Sequence, residues 1–153
     1  MTGSDDEPVR PPARLRALTS WQASKVTTLG ARLTAQRMPL GARSEFAVLA
    51  ALEEYGPLSQ ADIGRSLGLD RNDVNGVMTR LEGERFVTRR VDPANRRRNI
   101  VATTAAGRRH LEQIQAHADA VQDELLAGLT SAERRQLHGL LEKLLASHGP
   151  QPA

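Results

Sequence analysis

Residues 60–81 read QADIGRSLGLDRNDVNGVMTRL, and their spacing leaves few ways to fold. Ile63, Leu67, Leu69, Val74 and Val77 stand where the apolar faces of two short helices lock across a tight turn. Gly64 permits a close crossing. Gly68 falls where the chain needs a left-handed backbone, a conformation that costs any other residue about 1 kcal/mol or more. Asp70 follows as an N-cap, its carboxylate accepting orphan backbone N–H groups. The pattern predicts one helix opened by Ser59 and ending at Leu67, and a second running from Asp70 to about Glu84.

The outward face of that second helix carries Arg71, Asn72, Asn75, Thr79 and Arg80, turned away from the Val74–Val77–Leu81 stripe. Arginine can pair with guanine and asparagine with adenine in a major groove, so Arg71, Asn72 and Asn75 suit base edges. Thr79 and Arg80, farther along, suit phosphate. Directly downstream, Phe86-Val87-Thr88 and Asn99-Ile100-Val101 read as two short strands of a β-hairpin. Its tip is Asp92-Pro93-Ala94-Asn95-Arg96-Arg97-Arg98, the arginine-rich composition favoured by a narrow minor groove. Arg89 and Arg90, on the strand leading in, would meet phosphates. Residues 71–98 hold eight arginines against four acids, whereas the whole chain is only +3. Arginine is the chain's default base, nineteen against two lysines, but that bias does not explain the clustering.

Outside residues 44–103 the chain offers mostly long amphipathic helices. One is expected over 14–37, with Leu15, Leu18, Val26, Leu29 and Leu33 at three- and four-residue steps, ended by Pro39 and Gly41. Within 44–103 a second helix, capped by Ser44, runs through Tyr55. Thr104 caps a fifth, carrying Leu111, Ile114, Val121 and Leu125, and Thr130 opens a sixth with Leu137, Leu140, Leu141, Leu144 and Leu145. Three apolar stripes exceed what one domain of this size can hide, which predicts a symmetric dimer through Leu15, Leu18, Leu29, Leu125, Leu137, Leu141 and Leu144. Residues 1–13 and 148–153 read as disordered tails. The fold class expected is therefore mainly α with a small β-hairpin wing.

The segment VTRRVDPANRRRNIVATTAAGRRHL (87–111) resembles the wing signature R-x-x-D-P-x-D-R-R-x-x-x-V-x-L-T-x-x-G-R of the MarR family of winged helix-turn-helix transcriptional regulators. Asp92-Pro93, Arg96-Arg97, Thr104 and Gly107-Arg108 fall in register, and the order of elements is similar across residues 14–147. The resemblance implies a DNA-binding lobe over 44–103 and dimerisation helices over 14–37 and 104–147. It further implies a homodimer on a pseudo-palindromic operator, and repression relieved by a small molecule. Three positions depart from the family pattern. Asn95 replaces an Asp that would orient the neighbouring arginine, Thr103 a Leu that would anchor the fifth helix, and Arg85 a Gly that would end the recognition helix in a left-handed turn.

Composition narrows the alternatives. Aromatics are 3% of the chain (Trp21, Phe46, Tyr55 and Phe86), so the core is aliphatic. Trp21 either caps a dimer core or lines an effector crevice. Without cysteine there is no thiol switch, thiol nucleophile or Cys-ligated metal. The longest apolar run, 46–52, is too short to span a bilayer, and the acidic N-terminus lacks the apolar stretch of a secretory signal, so a cytoplasmic protein is expected. No nucleotide-binding, nucleophile-elbow or zinc-protease motif is present; GRSLG at 64–68 is the turn, and neither an enzyme nor a cofactor is expected. His110 and His117, seven apart, could hold a metal with Glu112 or Glu124, but surface or interface histidine is the expected fate. A competing reading keeps the winged helix and makes it a non-sequence-specific DNA-organising or protein-interaction module. Asn72 and Asn75 beside Arg71 favour base reading.

Overall fold

A computed structural model describes residues 9–149; most of each tail expected to be disordered, residues 1–8 and 150–153, lies outside the described residues. The elements in order are α1 (Ala13–Arg16), α2 (Thr19–Arg37), α3 (Ala42–Tyr55), β1 (Leu58–Ser59), α4 (Gln60–Leu67), α5 (Arg71–Gly83), β2 (Val87–Asp92), β3 (Asn95–Thr103), α6 (Ala105–Leu125) and α7 (Ser131–Ser147). None of the helices is long and apolar enough to cross a membrane, among the described residues.

The helix pair forms as its spacing requires. Ser59 caps α4 by accepting the Asp62 N–H, and Gly68 leaves the helix at φ +65°. The Leu69 N–H then returns to the Gly64 carbonyl at 3.0 Å. A Cβ on Gly64 would press on that Leu69 carbonyl and on the Val74 side chain, at 3.1 and 3.3 Å, so glycine sets the approach of the two helices. Asp70 caps α5 through the Asp73 N–H at 2.8 Å. Val74, Val77, Met78 and Leu81 of α5 join Val48, Leu49 and Leu52 of α3, Ile63 of α4, Val87 and Val101 of the sheet and Leu111 of α6 in one aliphatic core.

The sheet is larger than the hairpin expected. Its strands run six and nine residues, and β1 adds a third antiparallel strand in the order β1-β3-β2, with Leu58 opposite Val101. Phe86 is not a strand residue. It belongs to the turn that ends α5, where its N–H returns to the Leu81 carbonyl at 2.8 Å and the Arg85 N–H to Glu82 at 3.0 Å. These are the paired bonds of a Schellman stop, whose left-handed position is Arg85 at φ +60°. A departure from the family's glycine has thus kept the turn and accepted the strain. Arg85→Gly is expected to raise stability by about 0.5–1 kcal/mol, the relieved strain being partly offset by a freer unfolded chain. Thermal unfolding of the two proteins checks it.

Two helix starts differ from expectation. The first stripe is interrupted: Leu18 is extended (φ −80°, ψ 121°) between α1 and α2, and the Gln22 side chain donates to the Arg16 carbonyl across the break. Gly41, at φ +90°, begins the next helix, which leaves Ser44 inside its first turn rather than at the cap. Thr104 and Thr130 cap α6 and α7 as expected, the latter in a reciprocal capping box with Glu133.

The long helices do not behave alike. The stripe of α6 is satisfied within the chain, with Leu111, Ile114 and Val121 buried against α2 and α3. Leu125 also faces inward, toward Gly30 of α2. Helix α7 buries no residue; Leu137, Leu140, Leu141, Leu144 and Leu145 are all exposed, as are Leu15, Leu18 and Leu29.

Candidate nucleic-acid interface

Because Val74, Val77, Met78 and Leu81 hold one side of α5 in the core, Arg71, Asn72, Asn75 and Thr79 face outward and are exposed. The wing folds back beside them. Between α4–α5 and the sheet lies a cleft of about 630 Å³, walled by Arg71, Asn72 and Asn75 on the helix side and Arg97 and Arg98 on the wing side. Outward residues of α5 and residues of the wing, more than twenty positions apart in the chain, thus share one cationic trough.

The wing tip is braced from inside. Asp92 is buried; one oxygen accepts the Ala94 N–H at 2.9 Å and the other pairs with the Arg98 guanidinium. The Arg98 hydrogen bond, then the Ala94 N–H, hold the Asp92 carboxyl below the usual carboxylate range. Its bracing is therefore complete at neutral pH, present above the ordinary carboxylate range, and lost only as pH falls below it. Asn95 compensates for the missing carboxylate: its side-chain oxygen accepts the Arg97 N–H at 3.1 Å, an Asx turn that needs no charge. Arg96 and Arg97 are exposed and pair with no carboxylate among the described residues.

Several residues expected on the interface have other partners. Arg89 and Arg90 are neighbours on β2, so they point to opposite faces of the sheet. Arg89 turns inward, donating to Glu82 at 2.6 Å and Gln60 at 3.3 Å, and ties the wing to both helices of the pair. Arg90 stays exposed on the other side, near Arg85 and Thr88. The Thr79 hydroxyl donates to the Asn75 carbonyl at 2.8 Å. Arg80 leaves the cleft and reaches Glu45 on α3. Glu45, Gln60 and Glu82 had no mark in the sequence, because their partners lie 35, 29 and 7 residues away.

A second concavity, about 360 Å³, opens between α2, α3 and α6. Val26, Phe46, Val121 and Leu125 make it apolar, and Arg43 supplies a cation at its edge. Trp21 does not line it; that ring carries the Lys25 ammonium 5.3 Å from its centroid. His110 is half-buried, stacked on Phe86 and bonded to Glu45, while His117 is exposed, so the two share no site. Among the described residues no three His, Cys, Asp or Glu side chains converge as a metal site.

The family model described as "MarR family" matches residues 42–98, the span of the helix pair and most of the wing. An HTH-type transcriptional repressor of Mycobacterium bovis is 30% identical over 113 residues, covering 73% of this chain and 81% of the relative. The chain belongs to the MarR family. The HTH-type transcriptional repressor NicR of Pseudomonas putida is also 30% identical, over 103 residues and 67% of this chain; the match spans 65% of NicR, just under two thirds of its length. Among solved structures, BpsR of Bordetella bronchiseptica, whose DNA binding is regulated by 6-hydroxynicotinic acid, superposes with a TM-score of 0.70 at 28% identity, covering 82% of this chain and 96% of that one. This MarR-family chain thus has the winged helix-turn-helix of regulators named as HTH-type transcriptional repressors.

Proposed function

We propose that this MarR-family chain is a DNA-binding transcriptional repressor that acts as a homodimer on a pseudo-palindromic operator and responds to a small molecule. The observation that carries the reading is the cationic cleft in which Arg71, Asn72 and Asn75 face Arg97 across a space of about 630 Å³. Helix α5 enters the major groove, its first turn reading bases, while Arg96 and Arg97 reach the adjacent minor groove or its phosphates. Arg89 and Arg98 act from behind, one fixing the wing against the helices and the other fixing its tip. Arg90 meets the flanking backbone. The mate is a second copy docked through α1, α2 and α7, which supplies the second α5; the exposed leucines of α7 support this. The effector is a small anion with an apolar body, seated in the α2–α3–α6 cavity with Arg43 as counter-ion. No catalytic role is part of this reading, and a DNA-binding regulator of this family would act in the cytoplasm.

Selection of bound duplexes from a random pool, followed by competition with excess random DNA, tests the whole reading. Specific binding persists under competition; a protein that merely coats DNA is titrated away. With that operator in hand, Arg71→Ala is expected to cost about 1–3 kcal/mol and to relax preference at one base pair per half-site. Arg97→Ala should instead weaken all sequences alike and flatten the salt slope by roughly one unit for each phosphate left without its cation in each half-site. Equal effects of the two changes on every duplex would refute the assignment of α5 as the base reader.

A further inference from the structure

Of the two arginines on α5, Arg71 walls the cleft and Arg80 turns away from it. The Arg80 guanidinium lies over Gly41, so closely that a Cβ there would meet its Nη2 at 3.1 Å. Gly41 caps the N-terminus of α3, where unpaired N–H groups and the helix dipole repel a cation. Glu45, in the first turn of that helix, holds it nonetheless, its Oε1 accepting from Arg80 Nε at 3.4 Å. The hold is loose. The Arg80 side chain is 48% exposed, the hydrogen bond is long, and pairs this accessible are weak. Glu45 itself is only 18% exposed and would be costly to leave unpaired. It has a second partner: Oε2 lies 3.1 Å from His110 Nε2, and the His110 ring is fixed by stacking on Phe86 with centroids 4.1 Å apart. The carboxylate therefore keeps a hydrogen bond when Arg80 departs.

We propose that Glu45 is a specificity-determining residue that competes with DNA phosphate for Arg80. On non-cognate duplex the guanidinium stays on Glu45 and adds little to binding, which there is almost wholly electrostatic. On the operator, base contacts seat α5 deeply enough for a phosphate to displace the carboxylate, and Glu45 falls back on His110. The proposal rests on the reading that α5 enters the duplex.

The test uses the full chain, the selected operator and random duplex at one salt concentration. Glu45→Gln removes the charge and keeps the shape; it is expected to raise affinity for random duplex about 3–10-fold and for operator less, so that discrimination falls. The rise should vanish in the Glu45→Gln/Arg80→Ala double variant. Arg80→Ala alone should leave random-duplex binding within about twofold of the parent, because the side chain is already held back, yet weaken the operator complex. Glu53→Gln, an exposed acid on the same helix, controls for net charge. A gain from Glu45→Gln no larger than that control, a gain that survives loss of Arg80, or random binding that drops steeply in Arg80→Ala alone would each overturn the proposal. Arg71→Ala separates the two layers: if it leaves operator affinity untouched, the docking of α5 has failed, whatever Glu45→Gln does.

Discussion

Replacing Gly107 with alanine is expected to destabilise the chain by about 3 kcal/mol or more, a large share of the roughly 5–15 kcal/mol that holds a domain of this kind together. A Cβ built on Gly107 would stand 2.0 Å from the Phe86 carbonyl oxygen and 2.9 Å from its carbon. Both are backbone atoms, so no rotamer change relieves the clash and α6 must shift. That shift breaks a knot of hydrogen bonds. The Thr104 hydroxyl accepts the Gly107 N–H at 3.0 Å and lies 2.7 and 3.1 Å from the Arg85 and Phe86 carbonyls, while the Thr104 N–H returns to Phe86 at 3.0 Å. The knot joins the end of α5 to the start of α6, the longest helix. A thermal midpoint lowered by roughly 6–12 °C is the readout. Gly76→Ala is the control: nothing lies within 4 Å of a Cβ there, and a mid-helix alanine should raise stability by up to about 1 kcal/mol. Equal midpoints for Gly107→Ala and the parent would show that α6 has room the structure does not reveal.

The second large effect concerns the proposed dimer. Leu141→Glu together with Leu144→Glu places two charges on the exposed stripe of α7, 46% and 47% accessible in the single chain. Helix α7 buries no residue in its own chain, so the DNA-binding lobe should remain folded, with its helical circular dichroism retained. Self-association should disappear. With it goes the second binding event, and operator affinity should fall on the order of 100-fold or more, the usual yield of joining two sites. Sedimentation gives the mass and a mobility-shift titration the affinity. A variant that still sediments as a dimer would place the partner surface elsewhere.

Much of this molecule was legible in the linear code because its signals are local. Gly68, Asp70, Thr104 and Thr130 each act within three or four residues, and each occupies the cap or turn expected of it. The outward face of α5 followed from the periodicity of Val74, Val77 and Leu81. What was not legible shares one origin, a partner far away in the chain. Strand β1 is two residues long and exists only because β3 runs past it. Arg80 and Arg89 look like neighbours of the DNA face, yet Glu45, Glu82 and Gln60 claim them. The α6 stripe resembles the α7 stripe in sequence, but only the former is buried. Asn95 and Arg85 looked like losses; the first is made good by an Asx turn, and the second remains a strain carried by the backbone.

The sequence by itself determined where α4, α5, α6 and α7 begin, which face of α5 is free, and where the arginines concentrate. Those properties depend on hydrogen bonds and side-chain periods that close within one turn or one hairpin. Tertiary structure alone decided which arginines are free and which serve as internal ties, which apolar stripe is covered, and that a cavity with Arg43 at its edge opens between α2, α3 and α6. The reason is physical: a guanidinium or a leucine stripe carries no record of its partner. The partner is chosen by distance once the chain has folded, and such pairs lie up to 87 residues apart, as Arg37 and Glu124 do.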